Sequence, residues 1–200
     1  MPRNLALFDF DGTLTHKDSL FVFLRFVAGP VRFWMGMVIL LPTFASLALR
    51  IISNVKAKTR LLQWFLGGQS LSHLRAQAQR FAAEQIPPIL NVGMMEKLKA
   101  HQAQGDRVVV VSASADLWLK DWCAKEGIQD LLATQLEAID GIVTGKLATP
   151  NCHGKEKVRR VQELLDIHNY DRIFAYGDSS GDREMLALAH EAWYRGNKVR

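Results

Sequence analysis

Along this chain the spacing of apolar residues changes several times, and each change marks an element. Leu5–Phe10 is a short, mostly apolar run stopped by Asp11-Gly12, the pattern of a buried parallel strand. From about residue 18 to residue 85 apolar side chains recur at helical spacing, with breaks at Gly29-Pro30, Gly67-Gly68 and Pro87-Pro88. Met94–Gln104 reads as an amphipathic helix stopped by Gly105, and "RVVVVSAS" then follows as a central strand. Trp118–Lys125 is helical, and the alternating runs around Asp140-Gly141 predict a β-hairpin. A helix over Lys155–Leu165, a strand in "RIFAYGDSSGD" and a helix over Arg183–Ala189 complete the pattern, with a short strand at Ala192–Tyr194.

Strands alternating with helices predict an α/β fold with a Rossmann-like, doubly wound parallel sheet. The helical stretch after the first strand is then an insertion. Residues 1–14 and 89–200 form the expected catalytic core, and residues 15–88 an inserted, all-helical cap, with the β-hairpin as an extension of the core.

Composition narrows the class. The 200 residues are 48% hydrophobic and 22% charged, enough for one globular unit with a real core. A net charge of +5 favours anionic partners: a phosphorylated substrate, anionic lipid or nucleic acid. Nucleic acid is the weakest of these, because no face interleaves basic and aromatic residues. No protein partner is evident either. Cys123 and Cys152 follow no metal-ligand spacing and read as reduced thiols. The N-terminal run is broken by acidic residues and lacks the features of a signal peptide, so a cytoplasmic catalytic part is expected.

The polar residues at strand ends supply candidate chemistry, since ligands of open α/β sheets sit at the carboxyl ends of strands. Asp9 and Asp11 follow the first strand, Ser112 the second, and Asp178 and Asp182 a later one. In extended geometry Asp9 and Asp11 face one side. Converging carboxylates repel unless a cation neutralises them, and the expected cation is Mg²⁺, which takes carboxylates, a carbonyl, water and substrate phosphate. Asp11-Gly12 alone reads more simply as a β-turn. The ordered set is stronger: "DFDGTLT", "VVVVSAS", a lysine at a helix start, and "GDSSGD".

With these four stretches in order, the sequence resembles the haloacid dehalogenase superfamily, in its phosphoserine-phosphatase-like subfamily, over nearly its whole length. The resemblance implies a C1-type cap at the insertion and a Mg²⁺-dependent phosphomonoesterase. Asp9 would attack phosphorus and form an aspartyl-phosphate. Asp11 would protonate the leaving alkoxide and then deprotonate water. Ser112, with the N–H groups of Ala113 and Gly12, would hold phosphate oxygens, although Ser112 also reads as a helix N-cap. Asp178 would complete the metal shell with the Asp9 carboxylate and the Asp11 carbonyl. Asp182 reads as a supporting partner or, equally, as an N-cap. In "CHGKEKVRRVQELL" both Lys155 and Lys157 are candidates for the phosphate-binding lysine, and Lys157 has the spacing to Val161 and Leu164 seen in the subfamily. His16 could line the substrate entrance and reads more simply as a solvated loop histidine; His153 has no partners at metal-ligand spacing, and Trp118 and Trp122 read as core.

Phe33–Leu49 carries no charge and is seventeen residues long, at the lower limit of the roughly 17–25 needed to cross a bilayer. Pro42 would break it as a helix. A single span would put Asp9 and Ser112 on opposite sides of a membrane, although both must reach one phosphate. Two readings remain: the apolar heart of a soluble cap, or a helical hairpin dipping into the inner face of the cytoplasmic membrane. "SLFVFLRF", the apolar run and "CxGxEKV" are also similar to the membrane-associated phosphatidylglycerophosphatase C group. The expected substrate is therefore a lipid-linked phosphate or a small soluble phosphomonoester such as phosphoserine or phosphoethanolamine. Asp18 is the nearest counterpart of an acidic specificity residue and equally a helix N-cap. The reading from another class is a non-catalytic membrane-interacting protein that keeps the fold.

Overall fold

The computed structural model describes residues 3–200. Its centre is a six-stranded sheet of β1 (Asn4–Phe8), β2 (Arg107–Ala115), β3 (Asp130–Thr134), β6 (Arg172–Gly177), β7 (Glu191–Tyr194) and β8 (Asn197–Lys198), in the order β3-β2-β1-β6-β7-β8. All neighbours are parallel except β7 and β8. The chain winds outward from β1 to β3, then returns to the other side of β1 with β6. That reversal makes the carboxyl end of β1 the topological switch point, where ligands of such sheets bind.

Both faces of the sheet are covered, and the strand sequences show why. Ala6 and Phe8 of β1, with Val108 and Val110 of β2, join a core that extends to Trp118, Trp122 and the inserted helices. The alternate residues Leu5, Leu7, Val109 and Val111 face the other core, with Val161, Ala175 and Met185. A strand buried on both faces needs continuous apolar sequence, which the four valines supply. The second core is closed by α7 (Lys155–Leu164) and α8 (Arg183–Leu188), the first by α5 (Val92–Ala103) and α6 (Asp116–Lys125).

Between β1 and β2 lie α1 (Ser19–Ile39), α2 (Leu41–Ala48), α3 (Asn54–Leu66) and α4 (Leu71–Glu84). Gly29 has φ 73° and ψ 165°, so α1 is two helical pieces joined at a kink just before Pro30. The break predicted at Pro42 falls at Leu40, and Pro42 occupies the first turn of α2, where its missing N–H costs nothing. The hairpin of β4 (Leu136–Ile139) and β5 (Ile142–Leu147) grips these helices: Gly68 N–H donates to Val143 O and Leu71 N–H to Gly141 O, while Val143 N–H donates to Gln69 O.

The apolar stretch differs from one expectation. Of Phe33–Leu49, only Phe33, Gly36, Leu40 and Thr43 are buried. Trp34, Met35, Val38, Ile39, Leu41 and Leu49 are exposed. It is therefore a two-faced surface element and no apolar heart. Among the described residues α1 alone is long and apolar enough to cross a membrane, by length and composition; only 22% of its most apolar window is buried, which leaves much of that surface uncovered.

Two strands were not evident in the sequence. β3 and β8 are short, polar-ended strands at the two edges of the sheet, and neither carries a run long enough to show a strand pattern.

Candidate active site

β1 ends at Phe8, two residues earlier than its apolar run suggests, so strand alternation does not bring Asp9 and Asp11 together. A turn does: the N–H groups of Thr13 and Thr15 both donate to Phe10 O, and Gly12 takes φ 80°. Gly12 is required twice over, because a Cβ there would also fall 2.2 Å from Asp178 Oδ2. Asp9 is anchored by its own N–H to Tyr176 O on β6, at 2.9 Å.

Lys157, on the first turns of α7, is 2% exposed. Its Nζ donates to Asp9 Oδ1 at 2.5 Å, Asp182 Oδ1 at 2.6 Å and Val111 O at 2.8 Å. An ammonium has three donors, and all three are used. Burial alone would lower the Lys157 pKa, but Asp9 and Asp182 more than reverse this and raise it. Lys155 is exposed. Burial pushes Asp9 up to about 7, against the pull of Lys157 and with the push of Asp182.

Asp182 is fully committed. Its Oδ2 accepts from the N–H groups of Asp178 and Ser179 and from the Ser179 hydroxyl. Its carboxyl stays below the usual range although burial opposes this, because Lys157 and Ser179 hold it as the anion. The Asp178 backbone O accepts from Arg195 Nε, but its carboxylate accepts no hydrogen bond among the described residues, and burial and Asp182 raise its pKa. Ligand oxygens of Asp9, Asp178 and Asp182 all lie within 4.8 Å of one another. Three carboxylates against one ammonium leave excess negative charge, and Asp178 has oxygens to spare. That donor set fits a hard divalent cation.

Asp11 faces the inserted helices. Its Oδ1 accepts from Ser19 N–H at 2.6 Å and its Oδ2 from the Ser114 hydroxyl at 2.5 Å. Ser19 Oγ in turn donates to Ser114 Oγ and accepts from Trp118 Nε1. Neither Ser19 nor Ser114 was singled out from the sequence; the alternating "SAS" after the valines was the available signal. Ser112 is fully buried, accepts from Ser114 N–H at 3.0 Å, and is not a cap: Ala115 precedes α6. Thr13 Oγ1 donates to Asp9 Oδ2.

Above these groups lies a cavity of about 470 Å³. Its floor is Asp9, Asp11, Gly12, Lys157 and Asp178, and its rim includes Ala113, Ser114 and His153. The far wall comes from the inserted helices, with Phe21, Phe44, Leu47, Lys58 and Leu61. His16 and Asp18 also line it; Asp18 caps α1 by accepting from Leu20 N–H.

A buried lysine locked to an aspartate at the switch point of a doubly wound sheet, with spare carboxylates beside it, is machinery for handling an anionic group. The chain belongs to the haloacid dehalogenase-like hydrolase family, whose model matches residues 6–187. It is 37% identical over 194 residues to Protein CicA of Caulobacter vibrioides, covering 96% of this chain and 85% of that protein. It is 29% identical to Phosphoserine phosphatase SerB1 of Mycobacterium tuberculosis, covering 94% of this chain and 63% of that protein. The crystal structure of a protein of unknown function from Bordetella pertussis Tohama I superposes with a TM-score of 0.83 at 26% identity, covering 96% of this chain and 89% of that one.

Gly12→Ala should keep the far-UV circular dichroism of the wild type while displacing Asp178, and hydrolytic turnover should fall by about 10²-fold or more, the scale of losing one preorganised group. Wild-type turnover in a folded variant would contradict the close approach.

Proposed function

We propose that this hydrolase is a Mg²⁺-dependent phosphomonoesterase that works through a phosphorylated Asp9. The observation that carries the reading is the Lys157 ammonium held between Asp9 and Asp182 beside the uncommitted Asp178 carboxylate. Asp9 attacks phosphorus while the ester P–O bond breaks, and Asp11 gives its proton to the departing alkoxide. Water then attacks the phosphoryl group, Asp11 takes its proton, and Asp9 is released. Ser19 N–H and the Ser114 hydroxyl orient the Asp11 carboxyl for both transfers. Lys157 offsets charge on the phosphoryl oxygens, and the Ser112 hydroxyl with the N–H groups of Gly12 and Ala113 binds them. Asp9, Asp178 and the Asp11 carbonyl would hold Mg²⁺, which supplies charge neutralisation at the transferring phosphoryl group. Asp182 fixes Lys157 and the Asp178 backbone.

In this reading residues 15–88 are the cap that selects the leaving group, and the substrate is a lipid-linked phosphate at the inner face of the cytoplasmic membrane. The second half of α1 and α2 expose Trp34, Val38 and Leu41 at 59%, 63% and 58%, an apolar face that a partner or a lipid surface could cover. Exposed Arg32, Arg50, Lys56 and Arg60 border it, which suits an anionic lipid surface. Phe44 and Leu47 of α2 line the cavity itself, so one helix meets both the bilayer and the substrate. The polar floor and modest volume favour a second reading, a small soluble phosphomonoester, which the likeness to a phosphoserine phosphatase supports.

Two experiments separate these parts. Hydrolysis of nitrophenyl phosphate should require Mg²⁺, vanish with a chelator, and fall by about 10³-fold or more in Asp9→Asn; turnover that survives either treatment contradicts the catalytic reading. The wild type should co-sediment with vesicles rich in phosphatidylglycerol, and Val38→Asp with Leu41→Asp should release it. A wild type that stays in the supernatant contradicts membrane contact and leaves the soluble substrate.

A further inference from the structure

Trp118 and Trp122 stand one turn apart on α6, both buried, yet their indole N–H groups have different settings. The Trp122 N–H has no partner among the described residues, and its ring packs edge-on against Phe10. The Trp118 ring stacks on Phe23 of α1, with centroids 4.7 Å apart, and its Nε1 donates to Ser19 Oγ at 3.0 Å. A chain runs on from there. Ser19 Oγ donates to Ser114 Oγ at 3.2 Å, and Ser114 Oγ donates to Asp11 Oδ2 at 2.5 Å. It passes from α6 to the start of α1 and back to the end of β2 before it reaches the cavity floor.

The ends of this chain fix its direction. A hydroxyl both donates and accepts, so a row of hydroxyls can point either way. An indole N–H only donates, and an ionised carboxylate only accepts. With Trp118 at one end and Asp11 at the other, both serine hydroxyls must point toward Asp11. Ser19 and Ser114 are buried, where a reversed link would leave a polar atom without a partner. The backbone N–H of Ser19 holds the other oxygen, Oδ1, at 2.6 Å. Asp11 is thus gripped at both oxygens, and each keeps a second lone pair for the reacting proton.

We infer that Trp118 is a positioning residue for the acid–base step: its indole N–H, acting through the hydroxyls of Ser19 and Ser114, sets the angle at which Asp11 meets the leaving oxygen. This rests on the phosphomonoesterase reading above and adds to it a residue that touches neither the substrate nor the reacting atoms. Orientation matters here because the acid must lie within hydrogen-bond reach of the leaving oxygen, and a small misplacement costs rate steeply. The plainer role for Trp118 is packing against Phe23, and a packing residue has no preference among leaving groups.

Leaving-group basicity separates the two roles. The values of kcat/KM are measured for benzyl phosphate, whose alkoxide needs a proton to depart, and for nitrophenyl phosphate, whose phenolate departs unaided. Trp118→Phe keeps an aromatic ring and removes the N–H. Ser19→Ala keeps the backbone N–H to Asp11 and removes only the middle link of the chain. In each variant the benzyl-to-nitrophenyl ratio of kcat/KM should fall by about tenfold or more, the scale of one hydrogen bond to a charged group. Adding Trp118→Phe to Ser114→Ala should lower that ratio no further, because the chain is already cut. An equal loss on both substrates, an unchanged ratio, or a second full drop in the double variant overturns the proposal in favour of packing. If Trp118→Phe loses the wild-type circular dichroism, Ser19→Ala decides by the same ratio. Failure of the phosphomonoesterase reading would appear separately, as nitrophenyl phosphate turnover that ignores Asp9→Asn.

Discussion

A buried ammonium with all three donors committed sets the terms for everything around it. Lys157 can exist as a charge inside this protein only because Asp9, Asp182 and Val111 O surround it, since removing an ion from water costs several kcal/mol unless its partners are well placed. Those partners come from β1, β2 and the loop after β6, so the interaction demands that three central strands end at one point. The parallel register of β1 with β2 and with β6 satisfies that demand. The rest of the site follows. Asp182, already holding Lys157, uses its other oxygen to organise the backbone of Asp178 and Ser179. Asp178 then meets Gly12, where a Cβ would displace the Asp178 carboxylate.

The inserted helices meet this centre through polar contacts that are few and specific. Ser19 at the start of α1 binds Asp11 and, through Ser114, the end of β2. Lys58 of α3 binds Ala113, on the same strand end. The hairpin holds the loop between α3 and α4 by backbone hydrogen bonds. Beyond these polar contacts α4 packs extensively on α6 within the shared hydrophobic core, while the second half of α1 and α2 leave Val31, Trp34, Met35, Val38, Ile39 and Leu41 exposed. That division suits a cover that fixes the chemistry at one end and presents a greasy surface at the other.

Much of this was readable from the chain, for a physical reason. Strands buried on both faces must be continuously apolar, so β1, β2 and β6 announce themselves, and the polar residues that end them mark the switch point. Asp9, Asp11 and Asp178 were visible in that way, Lys157 through the resemblance of its helix start, and the geometry brings all four to one cavity. What the sequence hid was set by tertiary contact. Ser114 differs from Ser112 only in where the strand end turns, and Lys58 is one of several lysines on an amphipathic helix. β3 and β8 are too short to show a strand pattern. Of the two readings of the apolar stretch, the interior one fails because composition reports hydrophobicity and says nothing of which face another helix covers.

Whether Asp9 becomes covalently phosphorylated decides the account more directly than any rate. Turnover quenched with acid and then treated with borohydride would reduce an aspartyl-phosphate to homoserine, which peptide mass spectrometry locates by position. The account predicts homoserine at position 9 in the presence of substrate and Mg²⁺, and none without substrate. Continued hydrolysis with unmodified Asp9 under the same quench, or homoserine at Asp11 instead, would contradict it.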